Sequence, residues 1–470
     1  MNKFIQFVNR KEELEFLNRQ VERGGALVVL YGRRRVGKSE LLKHFAKGRN
    51  ALYLLATQEV EKEVMAGFSA DAAKFFGDPG LEINPLETFA QFMEYLGRRE
   101  LKGTVLIIDE FPYLVDAQKA APSIIQKHWE TRLKGTGLSL ILCGSSIGAM
   151  ETNVLGRKSP LYGRRTGQWK LEPLSFAHFA KFFPGVGMEK LVELYSITGG
   201  IPLYVLEFDG NKSTYENAKD AIATRGSILY QEADILLREE LREPRIYFSI
   251  LKEMAAGKNT PNELANMLGV ERTLLARYLN TLITLDIVEA ARPALSGKKS
   301  RSTIYVLKDN YFRFWFGFVS PFRKDLDSFN FSSFRENFCR NFSTYVGKQF
   351  EQVCKEAVCA SGMARPSETG SWWGAYREGG ERKVAEIDIA AVKEKSLLLA
   401  ECRWTNKAVD VSDLEALVKK SALVPSRKSR EFAYFSKSGF TSGAAKFAAE
   451  NSWRLFTLKD LERILLGQEG

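Results

Sequence analysis

Histidine is scarce in this chain, and cysteine occurs without paired motifs. Among 470 residues there are only three histidines, and they are scattered. A histidine metal site or a Ser-His-Asp triad is therefore not expected. The five cysteines form no C-x-x-C pair, which favours reduced thiols over disulfides or a zinc site.

Long apolar runs are also missing. No run reaches the length that would span a bilayer, and the start Met1-Asn2-Lys3-Phe4 does not open a secretory signal. We therefore expect a cytoplasmic protein with no membrane partner. A length of 470 residues with 45% hydrophobic content predicts a globular chain of roughly three domains.

Acidic residues are fewer than basic ones. Lysine and arginine number 68 against 57 aspartates and glutamates, which gives a net charge of +11 and a pI near 9.2. This excess favours a polyanionic partner such as DNA. A proteome that is basic throughout would give the same charge, so composition alone leaves the partner open.

The most informative pattern is glycine-rich and occupies residues 32–39. It reads GRRRVGKS and fits the phosphate-loop pattern G-x-x-x-x-G-K-[ST]. The apolar run at 26–31 predicts a buried strand before it, and residues 40–46 predict a helix after it. Glycines let the backbone approach phosphates, the lysine would reach the β/γ-phosphates and the serine would hold Mg²⁺. The expected nucleotide-binding residues here are Gly32, Arg33, Arg34, Arg35, Val36, Gly37, Lys38, Ser39 and Glu40.

A second acidic motif follows another buried run. Residues 104–108 are mostly apolar and lead into Asp109 and Glu110, at the strand end where an α/β sheet places its site. We expect Asp109 to hold the Mg²⁺ shell and Glu110 to polarise the attacking water. The alternative is an acidic strand end that faces solvent.

Two further segments offer catalytic groups. A strand predicted at 138–143 leads to Ser145, whose hydroxyl would contact the γ-phosphate or would cap the next helix. Arg164 and Arg165 follow a turn and would supply the transition-state cation, or they form a solvated basic loop. They would act within one subunit or on a neighbour, so a homo-oligomer stays open. Gly199-Gly200-Ile201-Pro202 predicts a helix start in a lid.

Together these motifs resemble the archaeal and prokaryotic ATPase family, a branch of AAA-like P-loop NTPases close to the STAND class. The matching segments lie at residues 7–14, 32–39, 107–111, 142–146, 161–164 and 200–202. The resemblance implies ATP as the nucleotide, ATP hydrolysis, and a parallel α/β sheet with a helical lid over residues 1–235. It also implies that Arg10 lies near the nucleotide and that Pro202 closes over the adenine.

Residues 236–310 predict a winged helix. Thr260-Pro261-Asn262-Glu263 is a capping box that starts one helix, and Gly269 ends it. The next helix has an expected buried stripe and an outward face suited to a DNA major groove. A role as a domain joint is the alternative. The stripe consists of Leu274, Leu275, Tyr278, Leu279 and Leu282. The outward face consists of Glu271, Arg272, Thr273, Arg277 and Asn280. A basic wing is expected after this helix, with Arg292, Lys298, Lys299 and Arg301, and a strand is expected at 303–307.

A dense aromatic segment begins the linker predicted at 311–335. Residues 311–318 read YFRFWFGF. Aromatic residues at this density usually fill cores, so packing is expected here rather than base stacking.

The last region predicts a β-hairpin with a polar face. Residues 386–392 and 397–404 are strands joined by the turn 393–396. Pairing Val392 with Leu397 places Asp388 directly opposite Glu401, with Glu386 opposite Arg403. Uninterrupted alternation makes the other face apolar, with Ile387, Ile389, Ala391, Leu398, Ala400 and Cys402. Two opposed carboxylates cost stability unless a cation such as Mg²⁺ or Mn²⁺ lies between them.

This hairpin resembles the PD-(D/E)xK restriction-endonuclease-like superfamily, over residues 336–470. The resemblance implies Glu351, Asp388 and Glu401 as metal ligands and catalytic roles for Asp388, Glu401 and Arg403. A lysine usually stands where Arg403 does, and arginine cannot readily transfer a proton. The expected function is therefore an ATP-hydrolysing, DNA-interacting protein that couples a P-loop ATPase to a metal-dependent nuclease-like domain. The alternative is an ATP-gated DNA-binding switch or regulator whose nuclease-like domain binds without cutting.

Overall fold

A computed structural model of the chain describes residues 7–8, 10–241, 243–296 and 303–467. It divides into two compact units. The first comprises the described residues up to Pro173 together with Ile201–Leu203, and the second comprises Leu174–Gly200 and the described residues from Tyr204 onward. Within the described ranges, no helix is both long and apolar enough to cross a membrane.

The first unit is built on a parallel five-stranded sheet with strand order β2-β3-β4-β1-β5. Its elements, in chain order, are α1 (Lys11–Glu22), β1 (Leu27–Tyr31), α2 (Lys38–Ala46), β2 (Ala51–Leu55), α3 (Glu61–Phe76), α4 (Pro79–Ile83), α5 (Phe89–Leu96), β3 (Val105–Asp109), α6 (Phe111–Ala117), α7 (Ala121–Thr131), β4 (Ser139–Gly144), α8 (Ile147–Met150) and β5 (Gly167–Lys170).

Helices cover both faces of this sheet. Successive residues of β1 point to opposite sides: Val28 joins one hydrophobic cluster and Val29 the other. Buried on both faces, the central strands are almost entirely Val, Leu and Ile, as parallel sheets require. The strands expected at 26–31, 104–108 and 138–143 are confirmed as β1, β3 and β4. Strands β2 and β5 were not predicted; they are the two edge strands of the sheet, and β5 is largely polar.

The second unit contains mostly helices, a two-stranded ladder and a mixed sheet. Its elements are α9 (Phe176–Ala180), α10 (Met188–Thr198), α11 (Pro202–Leu206), α12 (Thr214–Ala218), α13 (Glu232–Glu240), α14 (Pro244–Ala255), α15 (Pro261–Leu268), α16 (Arg272–Thr284), β6 (Val288–Ala291), β7 (Ile304–Leu307), α17 (Asn310–Phe314), α18 (Arg323–Asp327), α19 (Ser332–Ala360), β8 (Thr369–Glu378), β9 (Glu381–Val392), β10 (Ser396–Arg403), α20 (Val411–Ser421), β11 (Ser429–Ser436), α21 (Ser442–Glu450), β12 (Arg454–Thr457) and α22 (Leu458–Leu466). The first two residues of α11 are assigned to the first unit.

Helix α10 packs within the second unit, although the sequence analysis grouped residues 174–235 with the ATPase core. The hydroxyl of Tyr345, on α19, donates to the carbonyl of Ser196 at 2.6 Å. The side-chain amide of Asn310 donates to the carbonyl of Tyr195 at 2.8 Å. These contacts join α10 to elements that follow it by more than a hundred residues, which local sequence patterns do not reveal.

Helices α14 to α16 and the β6–β7 ladder occupy the region predicted as a winged helix. The five residues expected on the outward face of α16 are all exposed. Of the expected stripe, Leu275, Leu279 and Leu282 are buried, but Leu274 is 37% exposed, because it lies about 100° around the helix from Leu275. The wing residues Lys298, Lys299 and Arg301 lie outside the described residues. The loop after β6 contacts β8, where the Ala294 amide donates to the Ser371 carbonyl at 2.7 Å.

The aromatic segment after β7 is part of a core, as expected, and is not a linker. Tyr311, Phe314 and Trp315 are at most 1% exposed. Phe314 packs against Phe338 and Phe342 of α19. The segment therefore anchors the long helix α19.

The carboxyl-terminal sheet has strand order β12-β11-β10-β9-β8. Strands β8, β9 and β10 pair antiparallel, whereas β10, β11 and β12 pair parallel. The predicted hairpin register is confirmed where Val392 pairs with Leu397 and Ala390 with Leu399.

The predicted faces of the hairpin are partly wrong. Against β8, Gly370 pairs with Ala390 and Trp372 with Ile387, so β9 carries one extra residue, as at a β-bulge. Ile387 therefore shares a hydrophobic cluster with Ala390, Leu397 and Leu399, not with Ile389. The β9–β10 ladder also ends at Ile389 and Ala400, so Asp388 and Glu401 are not a ladder pair, and nor are Glu386 and Arg403.

Candidate functional site

The glycine-rich loop joins β1 to α2 at the carboxyl end of the parallel sheet. A Cβ at Gly32 would lie 2.5 Å from the carbonyl oxygen of Leu171, so a side chain does not fit there. Gly37 adopts φ 95°, a left-handed conformation that glycine accepts without strain, and it is the N-cap of α2. The loop therefore leads directly into the N-terminus of α2, and backbone amides at a helix N-terminus bind anions.

Lys38 is buried beside this loop. Its side chain donates to the carbonyl oxygen of Arg33 at 2.7 Å, and burial lowers its pKa. A desolvated ammonium group that rests on a backbone carbonyl fits an incoming phosphate, which offers it a stronger, charged acceptor. The contact of Lys38 with the β/γ-phosphates stays a prediction.

Tyr53 lies next to Ser39 and Asp109, the two residues predicted to hold magnesium at the loop site. The Tyr53 hydroxyl donates to Oδ2 of Asp109 at 2.5 Å, and Ser39 is among the groups that act on the pKa of Tyr53. Burial, reinforced by Asp109, raises the pKa of Tyr53. A hydroxyl and a carboxylate thus lie within reach of the same small space, and both are hard oxygen donors suited to Mg²⁺. Sequence patterns gave no signal for Tyr53.

Glu110 and Ser145 form a second contact at the sheet edge. Glu110 adopts a left-handed conformation with φ 52°, which turns it away from the strand direction of β3. The Ser145 hydroxyl donates to Glu110 Oε2 at 2.6 Å, and Ser146 rather than Ser145 is the N-cap of α8. Of the two roles open to Ser145, the structure favours a place beside the residue expected to polarise water.

Arg10 and Pro202 both lie against the loop, and the nucleotide contacts that the resemblance implies for them stay predictions. The buried guanidinium of Arg10 donates to the carbonyl oxygens of Val36 at 3.0 Å and Glu172 at 2.9 Å, and it pairs with Glu13. It therefore holds the loop backbone from behind. The ring of Pro202 lies 3.8 Å from where a Gly37 Cβ would be.

Other predicted residues are placed less centrally. Arg34 donates to the Tyr113 hydroxyl at 3.0 Å, Arg33 is buried, and Arg35 is exposed with φ 71°. Glu40 is exposed and pairs with Lys43 at 3.2 Å.

The arginine pair follows a different edge. The amide of Thr166, directly after the pair, donates to the carbonyl of Leu27, the first residue of β1, whereas the loop follows the last residue of that strand. The Arg164 side chain binds Glu130 at 2.5 Å, and Arg165 binds Gln168 at 2.7 Å. The described hydrogen-bond partners of both guanidinium groups therefore lie outside the phosphate loop.

A cluster of carboxylates lies in the second unit, where β9 bulges. Carboxylate oxygens of Glu351, Glu386 and Asp388 lie within 4.8 Å of one another. Asp388 also accepts the Cys402 amide at 2.9 Å, so its side chain occupies the place where the strand ladder ends. Asp388 also raises the pKa of Glu401, so a fourth carboxylate stands beside these three.

Electrostatics in this cluster reflect crowded negative charge. Burial first, and Asp388 second, raise the pKa of Glu351 to about 7 and that of Glu401 to about 7. Such shifts mean that the ionised carboxylates are under-compensated. A divalent cation would favour the ionised forms, so the donor set fits Mg²⁺ or Mn²⁺.

Two lysines that the sequence analysis missed border the cluster. Lys348 lies 3.1 Å from Glu351 and 3.4 Å from Glu386. Lys420, on α20, donates to Glu401 at 2.8 Å. The spacing of three residues between Lys348 and Glu351 on one helix was a usable signal, whereas nothing local indicated Lys420.

Arg403 has hydrogen-bond partners outside the carboxylate cluster. Its guanidinium binds Asp413 of α20 at 2.5 Å and the Tyr434 hydroxyl at 3.3 Å. The catalytic role that the resemblance implies for Arg403 stays a prediction. Glu386, to which no role was given, lies two residues before Asp388 on β9, so strand alternation places both carboxylates on the same side of the strand.

The loop, its buried lysine, the Asp109–Glu110 pair and the parallel sheet define the first unit as a P-loop ATPase. Residues 7–208 match the model of an ATPase domain predominantly from Archaea. Uncharacterized protein MJECL04 of Methanocaldococcus jannaschii is 34% identical over 428 residues, which cover 89% of this chain and 92% of that protein. The chain therefore belongs to the archaeal-type ATPase family that contains this relative.

Further similarities agree with this assignment. Uncharacterized ATP-binding protein MJ0423 of the same organism is 56% identical over 46 residues, which cover 10% of this chain and 78% of that protein. The Walker-type ATPase Paby2304 of Pyrococcus abyssi superposes with a TM-score of 0.50 at 20% identity, over 66% of this chain and 95% of that one; this likeness shows the fold alone. Residues 315–415 match a family described as "Archaea bacterial proteins of unknown function".

Proposed function

We propose that this ATPase acts on DNA and that its second unit holds a metal-dependent nuclease site. One observation carries the proposal: three carboxylates, from α19 and β9, lie within 4.8 Å of one another. The antiparallel-then-parallel order of the carboxyl-terminal sheet, with α19 beside it, supports the resemblance to restriction endonucleases.

The carboxylates would hold Mg²⁺ or Mn²⁺, which supplies an activated water and a positive charge beside the cleaved phosphate. Asp388 is the central ligand, since it raises the pKa of Glu401 and its side chain contacts the backbone of β10. Glu351 and Glu386 complete the donor set. The ammonium of Lys420 stands beside Glu401. In the restriction-endonuclease-like superfamily a lysine usually occupies the position of Arg403, and we assign the role of that lysine to Lys420.

Cleavage of DNA tests the proposal. We expect purified protein to cut linear or branched DNA in Mg²⁺ or Mn²⁺, and Asp388→Asn to lose this activity. Glu415→Gln, an exposed change on the helix that carries Lys420, is the matched control and should cut like wild type. Cutting that survives Asp388→Asn, or that is absent from wild type with every DNA form and both metals, refutes a nuclease site here.

A second candidate is an ATP-gated switch that binds DNA without cutting it. The observation that favours it is charge compensation: Lys348 faces Glu351 and Glu386, and Lys420 faces Glu401, which lowers the need for a cation. The exposed Arg272 and Arg277 of α16 would then carry the DNA contact. In the same assay this function predicts salt-dependent retention of DNA without nicking, and weaker retention by Arg272→Ala/Arg277→Ala.

The arginine pair of the first unit is compatible with assembly. Because Arg164 and Arg165 are paired with Glu130 and Gln168 and not with residues of the phosphate loop, we assign them to a neighbouring subunit's nucleotide in a homo-oligomer. ATP turnover per chain should then rise with protein concentration in wild type and stay flat in Arg164→Ala/Arg165→Ala.

A further inference from the structure

The outward face of the β8–β9 hairpin carries an unusual arrangement of charge. Residue pairs across the two strands are, from the tip inward, Arg377 with Arg382, Ala375 with Val384, and Trp373 with Glu386. These pairs share one face, because their neighbours Trp372, Ala385 and Ile387 belong to the hydrophobic cluster on the other side.

Arg377 and Arg382 stand directly opposite each other. Like charges in this position destabilise a strand pair. Across the part of the chain that the structure describes, neither guanidinium has a hydrogen-bond or ion-pair partner, and both are exposed. On the opposite face of the same hairpin tip, by contrast, Lys383 is paired with Glu378 at 2.8 Å. The two arginines are therefore suited to an anion that lies between them.

The same face leads to the carboxylate cluster. Glu386 is one of the three clustered carboxylates, and it lies four residues from Arg382 on β9. At about 3.3 Å per residue the separation along the strand is roughly 13 Å. Arginine binds phosphate through two parallel hydrogen bonds. If the phosphate to be cleaved lies at the carboxylate cluster, the arginine pair is placed to hold another phosphate of the same DNA strand, a short distance away.

Apolar surface fills the space between the two charged ends. Val384 is 68% exposed, which is unusual for a β-branched residue on a sheet, and half-exposed Trp373 pairs across from Glu386. Apolar and aromatic groups beside cations are typical of surfaces that bind unpaired bases. A duplex would turn its phosphates, not its bases, toward such a surface.

We propose that the outward face of the β8–β9 hairpin is a track for single-stranded DNA, with Arg377 and Arg382 gripping its phosphates and Val384 and Trp373 contacting its bases. The inference rests on the proposed nuclease function, whose site lies at the inner end of the track. It names the substrate form of that site as an unpaired strand.

Binding without cleavage tests the track. Full-length protein is titrated against fluorescent oligothymidylate in EDTA over a range of salt concentrations. For single strands the slope of log K against log salt is about −0.7 per phosphate contact, so Arg377→Gln/Arg382→Gln should reduce its magnitude by about 1.4. Arg427→Gln/Lys446→Gln removes two exposed cations elsewhere in the same unit and should leave the slope unchanged.

Three outcomes decide the proposal. An unchanged slope in the hairpin variant, with the thermal unfolding midpoint of wild type, overturns the track. A duplex bound as tightly as oligothymidylate overturns the assignment to an unpaired strand. A reduced slope together with no cleavage by wild type in either metal supports the track and refutes the nuclease function, so the two failures are distinguishable.

Discussion

At the scale of single residues, Lys38 shows how the fold prepares one charge for one ligand. Among the described residues, the hydrogen-bond partner of its ammonium group is the Arg33 carbonyl of the loop, at 2.7 Å, and burial already lowers the pKa of Lys38. A phosphate that enters the loop replaces this neutral acceptor with a charged one.

We expect Lys38→Ala to weaken ATP binding by roughly 100-fold, because a hydrogen bond to a charged group contributes about 1.5–3 kcal/mol. Isothermal titration with ATP and Mg²⁺ measures the change. Lys43→Ala, an exposed change on the same helix, should bind as wild type does. Equal ATP affinity in the two variants would contradict the assignment of the loop.

Functional residues were predictable from the sequence where they lie next to one another in the chain. Eight consecutive residues make the phosphate loop, and a strand end supplies Asp109 and Glu110, so spacing alone was enough. Lys420 was not predictable, since its place depends on how α20 packs, whereas Glu386 was available from strand alternation with Asp388 but was given no role. Arg403 illustrates the same limit, because its partner Asp413 comes from that helix.

At the scale of elements, the contact of α19 with α9 and α10 contains a buried acid. Glu356 accepts the amide of Phe176 at 2.9 Å and the Tyr195 hydroxyl at 3.5 Å. Burial raises its pKa from 4.5 to about 7. The folded protein therefore binds this proton more tightly than the unfolded chain does.

The sign of the linkage predicts lower stability as pH rises. The stabilisation from a protonated Glu356 is complete below about pH 4.5 and is lost progressively up to about pH 7, for a total of about 3 kcal/mol. Thermal unfolding from pH 5 to 8 should show this decline in wild type and a flatter profile in Glu356→Gln. Glu336→Gln, on the exposed side of the same helix, should keep the wild-type profile. If Glu356→Gln loses as much stability between pH 5 and 8 as wild type does, the loss comes from groups other than Glu356.

At the scale of the whole molecule, the chain carries two sites in two compact units. The loop site belongs to the first and the carboxylate cluster to the second. Their residues share no hydrogen bond or ion pair among those described above, so each should retain its basal chemistry when the other is removed.

We expect Asp388→Asn to hydrolyse ATP within about twofold of the wild-type rate in the absence of DNA, since sites in separate units without shared partners act independently. Release of inorganic phosphate measures this rate. A large loss in Asp388→Asn with unchanged thermal stability would mean that the carboxylates take part in ATP hydrolysis.

The long helix α19 imposes a constraint of length on the chain. Its 29 residues extend for about 43 Å, and they carry Tyr345 toward α10 and Glu351 toward the carboxylates. One inserted residue between these two positions would rotate everything beyond it by about 100° and swing Glu351 out of its cluster. Related chains are thus free to exchange many side chains along this rod, but insertions and deletions in its middle turns should be excluded.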